Sequence, residues 1–244
     1  MASAVCGVTA RPHLPSAVPA AARKLFFRCR AASTMNEASA SSPDTEEKKT
    51  TTVFVAGSTG RTGKRVVEKL LAKGFGVVAG TTDVSSARGS LPQDPNLQLV
   101  DNFGTVNLVE ACRKAGVTRF VLISSILVNG AAMGQLLNPA YIVLNLLGLT
   151  LVTKLEAENH IRKSGINYTI VRPGGLTDQP PTGNIVMEPE DTLYSGSISR
   201  SQVAEVAVEA LLCPESSYKV VEIIARADGP NRPLKDMYAA IKQN

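Results

Sequence analysis

Tryptophan is absent from this 244-residue chain, histidine occurs twice and cysteine four times. None of these residues stands at metal-ligand spacing, so no metal centre is expected. Cys6 and Cys29 fall in the first 36 residues, and Cys112 and Cys213 lie far apart in the remainder, which excludes a disulfide framework. His13 is near the N-terminus. His160 stands alone on a helical stretch and reads as a surface residue rather than a catalyst. Acids are missing from residues 1–36, which carry Arg11, Arg23, Lys24, Arg28 and Arg30. Five of the 26 bases lie there, so the rest of the chain holds 21 bases against 21 acids. The net charge of +5 therefore belongs to the N-terminus. A balanced remainder offers no footprint for a phosphate backbone, which excludes a nucleic-acid partner.

An acid-free leader rich in Ala, Arg and Ser reads as an organelle transit peptide over residues 1–36. Met1-Ala2-Ser3 and the scattered Pro12, Pro15 and Pro19 favour a plastid, with cleavage expected near Cys29-Arg30-Ala31. The expected location is the chloroplast, in the stroma or at a membrane surface. Residues 37–51 are rich in Ser, Glu and Lys and read as a linker. Residues 52–244 then form the globular domain, with a small C-terminal lobe.

Within that domain short apolar runs alternate with amphipathic stretches. Strands are expected at Val53–Ala56, Gly76–Ala79, Leu97–Val100, Arg119–Ile123, Tyr168–Val171 and Val220–Ile224. Helices are expected after Gly63 with Val66, Val67, Leu70 and Leu71 on one face, and over Val106–Lys114, Pro139–Lys163, Gln202–Leu212 and Leu234–Ile241. The alternation predicts an α/β fold, a doubly wound parallel sheet covered on both faces. The segment Gln179–Ser197, with Pro180, Pro181, Gly183 and Pro189, reads as a loop lid.

The sharpest motif is Gly57-Ser58-Thr59-Gly60-Arg61-Thr62-Gly63, placed between an apolar strand and an amphipathic helix. In that context Gly57 allows a tight turn, Gly60 lets the backbone approach a pyrophosphate, and Gly63 permits close helix–strand packing. The helix start supplies N–H donors and a positive dipole end. The expected ligand is thus a nicotinamide dinucleotide. An acid after the second strand would bind the ribose of NAD, and bases nearby would bind the 2′-phosphate of NADP. Asp83 speaks for the first, and Arg61, Lys64 and Arg88 for the second. NADP is the favoured reading.

Four further stretches, Asp101–Leu108, Arg119–Ser125, Asn167–Gly174 and Ile198–Arg200 before Val203-Ala204, complete a resemblance to the atypical short-chain dehydrogenase/reductases. The closest likeness is to the NAD(P)H-binding, NmrA-like branch, and the whole is similar to a small plastid member of it. Relatives of that kind include the redox-sensing component of the chloroplast inner-envelope import machinery. The resemblance covers about Val53 to Ala225. It implies a Rossmann-like fold with Asn107 on the helix behind the active site and Ser124 and Ser125 beside the nicotinamide. Pro173-Gly174 would meet the carboxamide, and Ser199 and Arg200 would open the helix of the C-terminal lobe.

Two features depart from that pattern. The family's Tyr-x-x-x-Lys pair is represented by Lys154, but Thr150 stands where the tyrosine belongs, and an aliphatic hydroxyl is too weak an acid to replace a phenol. Tyr141 lies more than three turns upstream on the expected continuous helix, out of reach. Ser124, Ser125 and Lys154 remain the candidate catalytic residues, with Lys154 also a candidate for the ribose. Secondly, Val100 runs straight into Asp101, so one internal α/β unit is missing, as in a shortened form of a longer protein. The vacant position lies beside the first strand, so the loss either opens the middle of the sheet or forces a repair, for which Arg119–Ile123 could take the slot by a right-handed crossover.

From Phe120 to Thr153 there is no charged residue. The expected structure is a strand followed by a buried helix. Leu136, Leu137, Ile142, Val143, Leu146 and Leu147 could alternatively face a second copy or a thylakoid or envelope surface. Three functional readings follow: an oxidoreductase of atypical mechanism acting on an unidentified small molecule, a non-catalytic nucleotide-sensing scaffold, and a short form that folds poorly.

Overall fold

The computed structural model describes residues 3–8, 51–81, 89–92, 97–101, 105–146 and 150–243, with only the backbone of 3–8, 97–101 and 106. The strands are β1 (Ser3–Val8), β2 (Thr52–Ala56), β3 (Gly76–Thr81), β4 (Leu97–Asp101), β5 (Arg119–Ile123), β6 (Tyr168–Pro173), β7 (Gly175–Thr177), β8 (Asn184–Pro189), β9 (Ser197–Ser199) and β10 (Lys219–Arg226). The helices are α1 (Arg61–Ala72), α2 (Thr105–Lys114), α3 (Pro139–Leu146), α4 (Thr150–Lys163), α5 (Arg200–Leu212) and α6 (Leu234–Ala240).

Eight strands form one sheet in the order β4-β3-β2-β1-β5-β6-β10-β8, and β7 pairs with β9 beside it. The pairs β2–β3, β3–β4, β5–β6 and β6–β10 are parallel, as the strand–helix alternation requires. Strands of the central sheet bury both faces. Along β5 every residue is buried, and Val121 and Ile123 join one apolar cluster while Phe120 and Leu122 join the other. The first cluster takes Val66, Val67 and Leu70 from α1 and Val203, Ala204, Ala207 and Val208 from α5. The second takes Val109 from α2 and Ile161 from α4. This is the two-sided coverage of a Rossmann-like layer structure.

Local chemistry sets the element ends. Helix α1 stops where Gly74 turns to φ +80°, with Phe75 N–H donating to Leu70 O and Gly74 N–H to Leu71 O, a Schellman pair. Helix α5 begins in a reciprocal cap in which Ser199 Oγ accepts from Gln202 N–H and the Gln202 side chain accepts from Ser199 N–H. Its other end is capped by a buried guanidinium from the neighbouring strand. Arg119 donates to Ala210 O, Cys213 O and Ser216 Oγ, satisfying carbonyls that a helix end leaves unpaired.

The structure departs from several expectations. Arg119–Ile123 does not move into the vacant position beside β2. It keeps β6 as its parallel neighbour, and the vacancy is taken by β1, antiparallel to both β2 and β5, with Val5 opposite Val55 and Val121. An antiparallel insert needs no crossover helix, so the rest of the sheet keeps its neighbours. The other pairs of the sheet are parallel, except that of β8 with β10. Residues Ser3–Val8, which lie within the stretch read from composition as a leader, pair here as β1.

The expected continuous helix Pro139–Lys163 is two helices, α3 and α4, bent by 87°. The bend turns α3 off the core, so it buries no residue and exposes Ile142, Val143, Leu144 and Leu146, next to exposed Leu136 and Leu137. It was not a buried helix. Leu147 lies outside the described residues. Among the described residues no single helix is long and apolar enough to cross a membrane. Finally, the expected lid Gln179–Ser197 contains an ordered edge strand, β8, paired antiparallel with β10.

Candidate functional site

The glycine loop lies at the carboxyl edge of the sheet between β2 and α1. Gly57 has φ +67°, a conformation that L side chains rarely adopt. Ser58 is fully buried, and both its N–H (3.0 Å) and its hydroxyl (2.9 Å) donate to Gly80 O, which pins the loop to the end of β3. A methyl group on Gly63 would come within 2.1 Å of Gly57 O and 2.9 Å of Ser58 Cα, so only glycine fits there. Thr59 is half-buried, Gly60 and Arg61 are exposed, and Thr62 is buried.

The start of α1 differs from that of α5 in a way that matters for a ligand. No side chain caps α1 at Gly60, and its first turn holds no acid. Helix N–H groups without a side-chain cap, at a positive dipole end, suit an anion. The cap of α5 leaves no such opening.

A second group of candidate residues is built around β5, β6 and α4. Ser124 N–H donates to Val171 O (2.7 Å) and Ile126 N–H to Pro173 O (3.0 Å), holding the Ser124-Ser125 turn against Pro173-Gly174. Gly174 is buried against Gly196 O and Ile224, with no room for a side chain. Lys154 Nζ donates to Ser124 O at 3.2 Å. Burial lowers the Lys154 pKa below the ordinary lysine value, with Glu158 one turn on opposing the shift.

The Ser124 hydroxyl is not turned toward solvent. It donates to Glu158 Oε1 at 2.5 Å, and Glu158 is itself fully buried. Arg172 Nη2 donates to Glu158 Oε2 at 2.7 Å, and its Nη1 donates to Asp191 (2.6 Å) and Glu222 (3.3 Å). Burial alone would lower the Arg172 pKa, but the hydrogen bonds and charges of Glu158 and Asp191 outweigh it and raise it. Glu222 accepts the N–H groups of Asp191, Thr192 and Leu193. Its pKa is raised by burial, against those N–H groups and Arg172. This network lies directly behind the candidate site and ties α4, β6, β10 and the loop at 190–193 together. Ser125 is half-buried beside it.

The structure thus joins Ser124, Ser125, Lys154, Pro173 and Gly174 at one place and the seven residues Gly57–Gly63 at another. The link between them is Asp178, just after β7, whose carboxylate accepts from Arg61 Nη1 at 2.8 Å. Asp83 and Arg88 lie outside the described residues. Asn107 is exposed on α2. His160 pairs with Glu110 of α2 at 3.2 Å, away from the site. Glu158, Arg172 and Asp178 were not singled out from sequence. Glu158 carried a signal, since it falls one turn after Lys154 on the same helix face. Asp178 carried none, because its partners are distant in the chain.

The bend between α3 and α4 also alters the position of Tyr141. It packs beside Ile126, Leu127, Val128 and Leu151, with its ring against Gly130. The argument from a continuous helix, which put it out of reach, does not hold. Tyr141 stands against the segment that follows Ser124-Ser125.

Residues 84–214 match the family described as NAD(P)H-binding. An uncharacterised chloroplastic protein of Arabidopsis thaliana is 59% identical over 234 aligned positions, covering 80% of this chain and 84% of that protein. The chloroplastic protein TIC 62 of Pisum sativum is 32% identical over 81% of this chain, which spans about half (47%) of that relative. Among solved structures, an oxidoreductase of Lactococcus lactis superposes with TM-score 0.61 at 23% identity, over 77% of this chain and 95% of that one. A short-chain dehydrogenase/reductase of Veillonella parvula in complex with NADP superposes with TM-score 0.61 at 14% identity, over 75% and 97%. Both share the fold. The Arabidopsis alignment takes up 80% of the 244 residues, about 195, against its 234 positions, so about 40 positions of the relative have no counterpart here. That is the size of one α/β unit. The chain belongs to the NAD(P)H-binding family, and the plant relatives it resembles are chloroplastic.

Proposed function

We propose that this chain is a stromal oxidoreductase that binds NADP(H) and transfers hydride to an acceptor needing no protein phenol as acid. The observation that carries the reading is the uncapped, acid-free start of α1 after Gly57–Gly60, on the same sheet edge as the Ser124-Ser125 turn to which Lys154 of α4 donates. The pyrophosphate would lie on the N–H groups of Arg61–Gly63, and Lys154 would donate to the nicotinamide ribose. Pro173 and Gly174 would line the carboxamide. Arg61 supports NADP over NAD as an exposed cation at the phosphate end, paired with Asp178. With Thr150 in the tyrosine position, the proton would come from water or Ser125. Ser124 acts as a positioning residue, because its hydroxyl proton is held by Glu158. Electron-poor acceptors such as quinones, flavins and tetrapyrroles suit a site of this kind, since hydride addition to them leaves a stabilised anion that water can protonate.

Calorimetric titration of the full chain with NADPH and NADH tests the cofactor. The expected result is saturable one-site binding with NADPH tighter. Absence of binding to both would overturn the reading. Loss of reduced-nicotinamide absorbance with a quinone or flavin present then tests turnover. Binding without turnover on any such acceptor would favour the second reading, a nucleotide-sensing scaffold, to which Thr150 in place of a phenol already points. The exposed apolar surface of α3 is the face such a scaffold would offer to a partner or to a thylakoid or envelope surface.

A further inference from the structure

Three arginines converge on one carboxylate at the mouth of the glycine loop. Asp178 Oδ2 lies 2.8 Å from Arg61 Nη1 and 3.0 Å from Arg200 Nη1, and Oδ1 lies 3.3 Å from Arg65 Nη2. Arg61 is the first residue of α1, Arg65 is one turn further, and Arg200 is the first residue of α5. Three guanidiniums from near the starts of two helices therefore meet a single carboxylate, leaving an excess of two positive charges. Surface ion pairs are ordinarily one to one and contribute little. Here the cations outnumber their partner and are presented by separate elements, one of them, Arg200, with only 11% of its side chain exposed. Guanidiniums held in fixed positions are the side chains best fitted to phosphate oxygens.

We propose that Asp178 is an internal counter-ion for the dinucleotide phosphates: it holds Arg61, Arg65 and Arg200 in the free protein and is displaced from Arg61 when a phosphate arrives. The inference rests on the dinucleotide reading of the glycine loop and adds to it how that site is regulated. Asp178 is suited to displacement. Among the described residues it has no backbone N–H donor, its side chain is 41% exposed, and it begins the exposed stretch to Gly183. Its carboxyl titrates below the usual range. Desolvation acts to raise it, and Arg200, Arg61 and Arg65 together outweigh that, so at neutral pH it competes as a full negative charge. Arg61, the most exposed of the three at 72%, is the one free to change partners. Arg65 and Arg200 would then keep the Asp178 segment in place while the dinucleotide is bound.

The test is equilibrium titration of the full-length protein and its Asp178→Asn variant with NADPH and with NADH. Asparagine keeps the shape and the acceptor but not the charge. It is expected to lower the Kd for dinucleotide about two- to fivefold, the scale of one partly exposed ion pair, while Asp178→Glu stays near wild type. A gain shared by NADPH and NADH assigns the arginines to the pyrophosphate, and a gain confined to NADPH assigns them to the 2′-phosphate. Both outcomes support the proposal. Inorganic pyrophosphate gives a check without nicotinamide and is expected to raise the melting temperature of Asp178→Asn more than that of wild type. Unchanged or weaker dinucleotide binding by Asp178→Asn, beside normal binding by wild type, would overturn the counter-ion and make Asp178 a structural staple. Absence of binding by wild type would overturn the dinucleotide reading itself, and this inference with it.

Discussion

A methyl group at Gly63 would meet backbone atoms of Gly57 and Ser58, the nearest at 2.1 Å. Backbone cannot step aside as a flexible side chain can. Gly63→Ala is therefore expected to push α1 off the loop, costing about 1–3 kcal/mol of stability and abolishing dinucleotide binding. Urea unfolding and an NADPH titration check it, and retained binding would show that the loop does not hold the phosphates. Lys154 makes a second case. Its pKa is depressed by burial from the ordinary 10.5. Between the depressed folded value and 10.5 the unfolded chain holds more protons than the folded one, so this lysine makes stability rise with pH across that window. Below the window both states hold the proton and its burial is a constant penalty. Lys154→Met is expected to be more stable than wild type at neutral pH, with the difference shrinking toward pH 10, and to bind dinucleotide more weakly. Denaturant titrations at both pH values read the slope, and a constant difference would refute the shift. Such residues were legible in the sequence because the glycine spacing and the lysine stand in local patterns. Glu158, Arg172 and Asp178 were less so, because their significance comes from partners that only the fold brings together.

Elements that depend on local periodicity were legible too. The apolar face of α1, the fully buried run of β5 and the glycine stops all follow from neighbours in sequence. The break between α3 and α4 was not, because an uncharged run has no polar face to reveal a change of direction. Nor was β1 legible, since a six-residue apolar stretch inside an acid-free leader gives no sign of a partner. Arg119 belongs to the same class. Its guanidinium joins the start of β5 to the end of α5 and is buried. Arg119→Ala is expected to leave the carbonyls of Ala210 and Cys213 without that donor and to lower stability by about 1.5–3 kcal/mol, the range for hydrogen bonds to a charged group. Thermal unfolding measures it. A loss under 1 kcal/mol would mean that water replaces the guanidinium.

At the scale of the molecule, about 40 positions of the Arabidopsis relative are missing from this chain, and the sheet shows where an insert is needed. Strand β1 stands between β2 and β5, so without it two central strands would each present an unpaired edge. A strand paired on both sides uses its backbone groups on both neighbours, and a proline at its centre removes one donor and strains the ladder. Val5→Pro in the full chain is expected to lower stability by about 3 kcal/mol or more. Hydrogen–deuterium exchange gives the complementary reading on the unmodified protein. If the N-terminal strand closes the sheet, amides of Ser3–Val8 exchange as slowly as those of Thr52–Ala56 and Arg119–Ile123, because all three open only with the core. Restoring the relative's extra segment by insertion after Val100 should supply the missing parallel strand, release Ser3–Val8 to fast exchange and make Val5→Pro neutral. Fast exchange of Ser3–Val8 in the original chain, with protection retained at β2 and β5, would mean that something other than this segment closes the gap.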